Sequence, residues 1–144
     1  MNEYFKLKLK QISDDERQLE AYNSTGNTVV IAGPGSGKTT VLTLKVIRLL
    51  SEVISPPRGL ACLTFSREAA REFQDRLKLL GLQKRSNLFL GTVHSFCLSE
   101  VLTPFAKLNP DYKVPYPIRI ISDSKRKKLF ERIKASANTS ALGR

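Results

Sequence analysis

The chain has 144 residues, with 24 Lys and Arg against 13 Asp and Glu, giving a formal net charge of +11. That length suits a single domain, and 41% hydrophobic residues exclude a collagen-like or disordered chain. No apolar run reaches the roughly 18 residues of a membrane span, and no apolar leader precedes a small-residue cleavage site, so a cytoplasmic protein without a membrane partner is expected.

The charge is unevenly placed. Residues 1–32 sum to −1, residues 33–100 to +5 and residues 101–144 to +7. An excess of this kind suits a polyanion, nucleic acid before an anionic membrane surface. Cys62 and Cys97 each stand in an apolar stretch without a CxxC partner. They are expected to be small core residues rather than a disulfide or a zinc site.

In chain order, Phe5, Leu7 and Leu9 alternate with Lys6, Lys8 and Lys10, which predicts a half-exposed edge strand. Ser13 with Glu16 reads as a capping box opening a short helix that carries Gln18, Leu19 and Tyr22. Three strand-then-helix units follow, which predicts an α/β chain with a parallel sheet. The first is a buried strand over 28–32 and a helix with Leu42, Val46, Leu49, Leu50 and Val53 on one face. The second is a strand over 60–65 and a helix capped by Ser66, with Ala69, Ala70, Phe73, Leu77 and Leu80 facing inward and Gly81 ending it. The third runs from Leu88 through Gly91 and Thr92 to a helix over about 95–102.

Beyond residue 103 four prolines, Pro104, Pro110, Pro115 and Pro117, argue against a regular helix, and a domain boundary is expected there. A short strand over 118–121 and a basic helix capped by Asp123, with Leu129, Phe130 and Ile133 on one face, come next. The polar residues 136–144 are expected to fray. The run Lys125, Arg126, Lys127 and Lys128 points around most of a helix circumference, so only part of it can meet one phosphate strand.

The sequence Ala32-Gly33-Pro34-Gly35-Ser36-Gly37-Lys38-Thr39 stands between the first predicted strand and its helix, the context of a phosphate-binding P-loop. Its glycines let successive backbone N–H groups converge on an anion, Lys38 would reach the β- and γ-phosphates, and the Thr39 hydroxyl would ligate Mg²⁺. Ala32 replaces the first glycine of the strict pattern, a small residue for a small one. A dinucleotide fingerprint or a kinase glycine loop would need glycine where Lys38 stands.

The neighbouring segments narrow the choice among P-loop proteins. Gln18, the P-loop, Leu63-Thr64-Phe65-Ser66-Arg67-Glu68-Ala69-Ala70 and Gly91-Thr92-Val93-His94-Ser95-Phe96 occur in that order. The set resembles the Q motif and motifs I, Ia and Ib of UvrD/Rep-like superfamily 1 DNA helicases, closely over residues 12–102 and loosely over 118–123. The resemblance implies a partial P-loop (RecA-like) three-layer parallel sheet over 1–103 and, over 104–144, a linker and the start of an α-rich inserted subdomain.

It also implies roles. Gln18 reads adenine, while Ala32, Gly33, Pro34, Gly35, Ser36, Gly37, Lys38, Thr39 and Thr40 surround the nucleotide. Lys38 and Thr39 act on the phosphates and Mg²⁺. Thr64, Phe65, Ser66, Thr92 and His94 touch single-stranded DNA, with Phe65 as a stacking platform or else as the last core residue of its strand. Two features depart from the family: Thr40 stands where relatives often have Arg, and no Asp-Glu pair ends a second apolar strand to supply the acidic Mg²⁺ ligand. The expectation is therefore an ATP- and DNA-binding N-terminal part of a 3′-to-5′ helicase, incomplete and unable to unwind or turn over ATP alone. The alternatives are a stand-alone nucleotide- or DNA-binding module and a small P-loop kinase.

Overall fold

A computed structural model of the chain describes residues 2–112, 116–118 and 120–141. Its contacts divide into two compact units, 1–99 and 100–144.

The first unit begins with helices α1 (Glu3–Ser13) and α2 (Glu16–Asn23). The expected edge strand over 5–10 is thus a helix. Asn2 caps it by accepting from the Phe5 N–H at 2.9 Å, and the same side chain donates to the Leu79 carbonyl at 2.9 Å. Phe5 and Ile12, seven residues apart, are both buried, so the helical period outweighs the short alternation between them. Ser13 closes α1 by donating to the Leu9 carbonyl, and the cap of α2 is Asp15 instead.

After α3 (Lys38–Arg48) a π-helical turn runs over Leu49–Val53. Strand β1 (Leu60–Thr64), α4 (Arg67–Leu79), β2 (Leu88–Thr92) and the short α5 (Val93–Phe96) follow, and a second π turn, Cys97–Leu102, crosses the division. The core joins Phe5, Ile12 and Tyr22 to Val41, Leu44, Val46, Ile47 and Leu50 of α3 and its extension, and to Leu77 and Leu80. Leu42 and Val53 are exposed and Ala69 lies outside the core, so those three inward placements do not hold, while Val46, Leu50, Ala70, Leu77 and Leu80 are buried as expected.

The termini of α4 follow their sequence signals. Ser66 accepts from the Ala69 N–H at 3.0 Å. Gly81, at φ +91°, closes a Schellman motif in which Leu82 N–H reaches the Leu77 carbonyl at 3.0 Å and Gly81 N–H the Lys78 carbonyl at 2.9 Å. Glu72 with Arg76 and Asp75 with Lys78 pair on its outer face.

β1 and β2 form a parallel two-stranded sheet in which Leu60 pairs with Leu88 and Thr64 with Thr92. The expected strand over 28–32 is absent: no helix or strand lies between Asn23 and Lys38, and Val29 and Ile31 are 86% and 93% exposed. β1 and β2 pair with each other, and a lone segment without a neighbouring ladder leaves its N–H and C=O groups to water. The described chain is mixed α/β with a small sheet. Cys97 is exposed rather than a core residue, while burial pushes the Cys62 thiol up to about 11, which makes it a poor nucleophile.

In the second unit α6 (Thr103–Leu108) contains Pro104 and follows directly on the Cys97–Leu102 turn. The expectation that prolines exclude a helix there does not hold at Pro104. A 3-10 turn (Pro110–Tyr112) follows, and Ile118, Ile120 and Ile121 are not in a strand; Pro115 and Arg119 lie outside the described residues. Helix α7 (Asp123–Ala141) continues through residues expected to fray, and residues 142–144 lie outside the description. Its Leu129, Phe130 and Ile133 are all exposed. Among the described residues no helix is long and apolar enough to cross a membrane.

Candidate nucleotide and nucleic-acid site

The loop before α3 turns on two glycines, Gly35 at φ +75° and Gly37 at φ +78°. L-residues avoid this left-handed conformation, and Gly37 must adopt it to serve as the N-terminal flank of α3. A side chain on Gly33 or Gly35 would meet open space, so the loop is accessible. Lys38 folds back across it: its ammonium donates to the Ala32 carbonyl at 2.6 Å, to the Gly33 carbonyl and to Ser36 Oγ at 3.3 Å. Ser36 Oγ also donates to the Gly33 carbonyl at 2.8 Å. The donor set fits a polyphosphate: one ammonium, a hydroxyl and the first N–H groups of an 11-residue helix.

Mg²⁺ fits less completely. The half-buried Thr39 offers a hydroxyl, but among the described residues no group of three His, Cys, Asp or Glu could hold a metal ion. A Mg²⁺ ion here would arrive on its phosphates and keep most of its waters. Thr39 and the half-buried Thr40 are fixed from below, since the buried Thr43 hydroxyl donates to both of their carbonyls at 2.9 Å.

Gln18 reaches this loop. A Cβ on residue 37 would lie 3.4 Å from both terminal atoms of its side-chain amide. Asp15 controls that amide: one carboxylate oxygen accepts from the N–H groups of Arg17 and Gln18 at 3.0 and 3.1 Å, and the other accepts from Gln18 Nε2 at 3.1 Å. The far end of α2 is tied to α3. Lys45 Nζ donates to the Ala21 carbonyl at 2.8 Å, the Ser24 carbonyl at 2.7 Å and Ser24 Oγ. Arg48 donates to Asn23 Oδ1 at 2.8 Å and lies 5.0 Å from the centre of the buried Tyr22 ring. Burial first, and the Arg48 charge second, hold Lys45 below its ordinary pKa, whereas burial raises that of Tyr22 despite Arg48.

Asp15, Lys45 and Arg48 escaped the sequence reading. Asp15 was hidden by the competing Ser13 box. Lys45 and Arg48, at i and i+3, look like any polar pair on an amphipathic helix.

At the C-terminal edge of the sheet the parallel register sets Thr64 directly beside Thr92. The segments 64–66 and 92–94 therefore leave the sheet together, the usual position for functional loops in such folds. The hydroxyls of Ser66 and Thr92 are committed to caps, Ser66 on α4 and Thr92 on α5 through the Ser95 N–H at 3.2 Å. Phe65 is 96% exposed, not a core residue, and His94 is exposed on the first turn of α5. Gly91 is required by crowding, because a Cβ there would stand 2.8 Å from Ser95 Oγ and 3.1 Å from the Phe89 ring. That ring packs edge-on against Phe96 at 5.2 Å.

An apolar groove of about 530 Å³ between α3, β1 and α4 is a poor phosphate site. Its ammonium, Lys45, is committed to α2, and its carboxylate, Glu72, to Arg76.

Comparison with known proteins bears on the whole arrangement. The UvrD/REP helicase N-terminal domain matches residues 14–142. The ATP-dependent DNA helicase SRS2 of Saccharomyces cerevisiae is 38% identical over 103 residues, 69% of this chain and 9% of that protein. The ATP-dependent DNA helicase PcrA of Staphylococcus aureus is 38% identical over 82 residues, 56% of this chain and 11% of that protein. The Gabija protein GajB of Bacillus cereus is 43% identical over 82 residues, 57% and 16% respectively. The chain thus spans a small fraction of the relatives it matches, and it belongs to the UvrD/REP helicase family through that family's N-terminal domain.

Proposed function

We propose that the chain binds MgATP in the 32–39 loop and single-stranded DNA along the C-terminal edge of β1 and β2. It would thereby supply the nucleotide- and strand-holding part of an ATP-dependent 3′-to-5′ DNA helicase. The observation that carries the reading is the register of Thr64 with Thr92, which brings an exposed aromatic ring and an exposed imidazole to one sheet edge. An aromatic platform holds bases without reading them, as a translocating enzyme requires. Lys38, Thr39 and the loop amides would hold the triphosphate, with Mg²⁺ on its oxygens and Gln18 at the base. The metal, when bound, would neutralise charge on the phosphates.

By itself the chain is expected to bind without turnover, since hydrolysis also needs an acid on Mg²⁺ and a positioned water. A phosphate-release assay with and without oligo(dT) checks this. The expected rate equals the protein-free blank; turnover abolished by Lys38→Ala would overturn it. Fluorescence anisotropy with labelled oligo(dT) and with a mixed-sequence strand of equal length tests the binding itself, and similar affinities are expected.

The basic helix α7 of the second unit offers phosphate contacts of its own. Arg126 pairs with Asp123 at 3.0 Å and Lys134 with Glu131 at 3.5 Å. Lys125, Lys128 and Arg132, at i, i+3 and i+7, share one helix face. Replacing these three by Gln should reduce the slope of log affinity for single-stranded DNA against log salt by roughly 2, about 0.7 for each phosphate that is no longer neutralised. An unchanged slope would mean that α7 makes no phosphate contacts.

A further inference from the structure

We infer that Asp15 is a specificity-determining residue: by accepting from Gln18 Nε2 it fixes which end of the Gln18 amide donates and which accepts, and so selects adenine over guanine. This deepens the reading of Gln18 as the base contact and rests on it.

An amide can be turned by 180° with little change of shape, so its identity as a reader depends on what pins it. With one Nε2 hydrogen given to Asp15 at 3.1 Å, the other hydrogen and Oε1 remain for a ligand. That is one donor and one acceptor in fixed positions. Adenine offers the complement, an acceptor at N7 and a donor at N6; guanine offers acceptors at N7 and O6 and would set its O6 against Oε1. A carboxylate has no hydrogen to donate when ionised, so Asp15 cannot serve the flipped amide.

The pin is effective because its base is held. The other Asp15 oxygen caps α2 through the N–H groups of Arg17 and Gln18, which leaves the carboxylate little freedom to rotate. Ala21 and Tyr22, one turn beyond Gln18 on the same face, belong to the end of α2 that Lys45 and Arg48 fasten to α3. The helix that starts with Lys38 therefore carries, through two cations, the helix that presents Gln18 to Gly37.

Asp15→Asn tests the assignment without removing the cap, since Asn caps helices about as well as Asp, but its amide can donate and so admits the flipped Gln18. Dissociation constants for MgATP, MgGTP and inorganic tripolyphosphate would be measured on the full chain for the wild type, Asp15→Asn and Gln18→Ala, with a thermal melt of each.

The expected result is that Asp15→Asn and Gln18→Ala each lower the ATP-over-GTP preference about tenfold, while tripolyphosphate affinity stays within about twofold. The figure corresponds to one lost hydrogen bond of about 1.4 kcal/mol. If Gln18→Ala loses the preference and Asp15→Asn keeps it, the role of Asp15 is overturned and the adenine reading stands. If both keep it, the adenine reading itself has failed and the Asp15 assignment falls with it. Equal loss of ATP and tripolyphosphate in Asp15→Asn would show that Asp15 acts on the fold or the phosphate loop, which also overturns the assignment.

Discussion

Lys38→Ala is expected to weaken MgATP binding by roughly 100-fold or more, measured by isothermal titration calorimetry. A hydrogen bond to a charged group is worth about 1.5–3 kcal/mol net, and a lysine bridging two phosphate groups makes at least two. The gain is not the whole sum. The ammonium donates to the Ala32 and Gly33 carbonyls and to Ser36 Oγ, and those bonds would be exchanged for bonds to the phosphates.

What remains is about 3 kcal/mol, near the lower end of the range, which converts to roughly 150-fold. Lys38 is exposed and its loop carbonyls can turn to water, so the melting temperature should hardly move. Lys38→Arg is not expected to restore binding, because a planar guanidinium cannot replace a compact ammonium in a loop shaped around it. Binding of Lys38→Ala within tenfold of wild type would mean that the triphosphate sits elsewhere.

The elements that sequence located well are those whose signals are local and redundant. The ends of α4 are an example: Ser66 has the side chain to cap a helix, Gly81 has the backbone freedom to leave one, and both act within a turn of the residues they control. The turn before α3 is similar, since Gly35 and Gly37 specify its curvature without help from distant residues.

The segment over 28–32 is the opposite case. Val29, Val30 and Ile31 have strong strand preference, but a strand exists only when another backbone answers its hydrogen bonds, and that partner is not encoded in the segment. The N-terminus fails differently. Phe5, Leu7 and Leu9 alternate, yet Phe5 and Leu9 are also i and i+4; the deciding residues, Asn2 as a cap and Ile12 one further turn along, lie outside the short window.

The candidate site shows the same division. Gln18 could be named as a candidate from the resemblance to the Q motif, but its restraints could not. Asp15 controls its orientation, and Lys45 and Arg48 control its helix; all three act through contacts formed only once α2 lies on α3. The family resemblance points to Gln18, and packing supplies the contacts that hold it.

Phe65→Ala is expected to weaken single-stranded DNA binding by about 1–3 kcal/mol, roughly 5- to 150-fold, and to do so equally for oligo(dT) and mixed sequence. Truncating a buried Phe costs about 3–5 kcal/mol of stability, but this ring is 96% exposed and leaves no cavity when removed. The melting temperature should therefore stay within a degree or two while affinity falls, a separation that a core residue cannot show. The flanking side chains sharpen the test: the Ser66 hydroxyl is committed to the α4 cap and Thr64 is half-buried in the sheet, so the ring is the group of residues 64–66 that stands most exposed. Phe65→Trp, with a larger stacking face, should bind at least as tightly as wild type. If Phe65→Ala instead melts early with affinity unchanged, the ring supports the fold and the strand lies elsewhere. If both are unchanged, the exposed aromatic has no part in binding, and the positive faces of the molecule alone must account for any affinity for DNA.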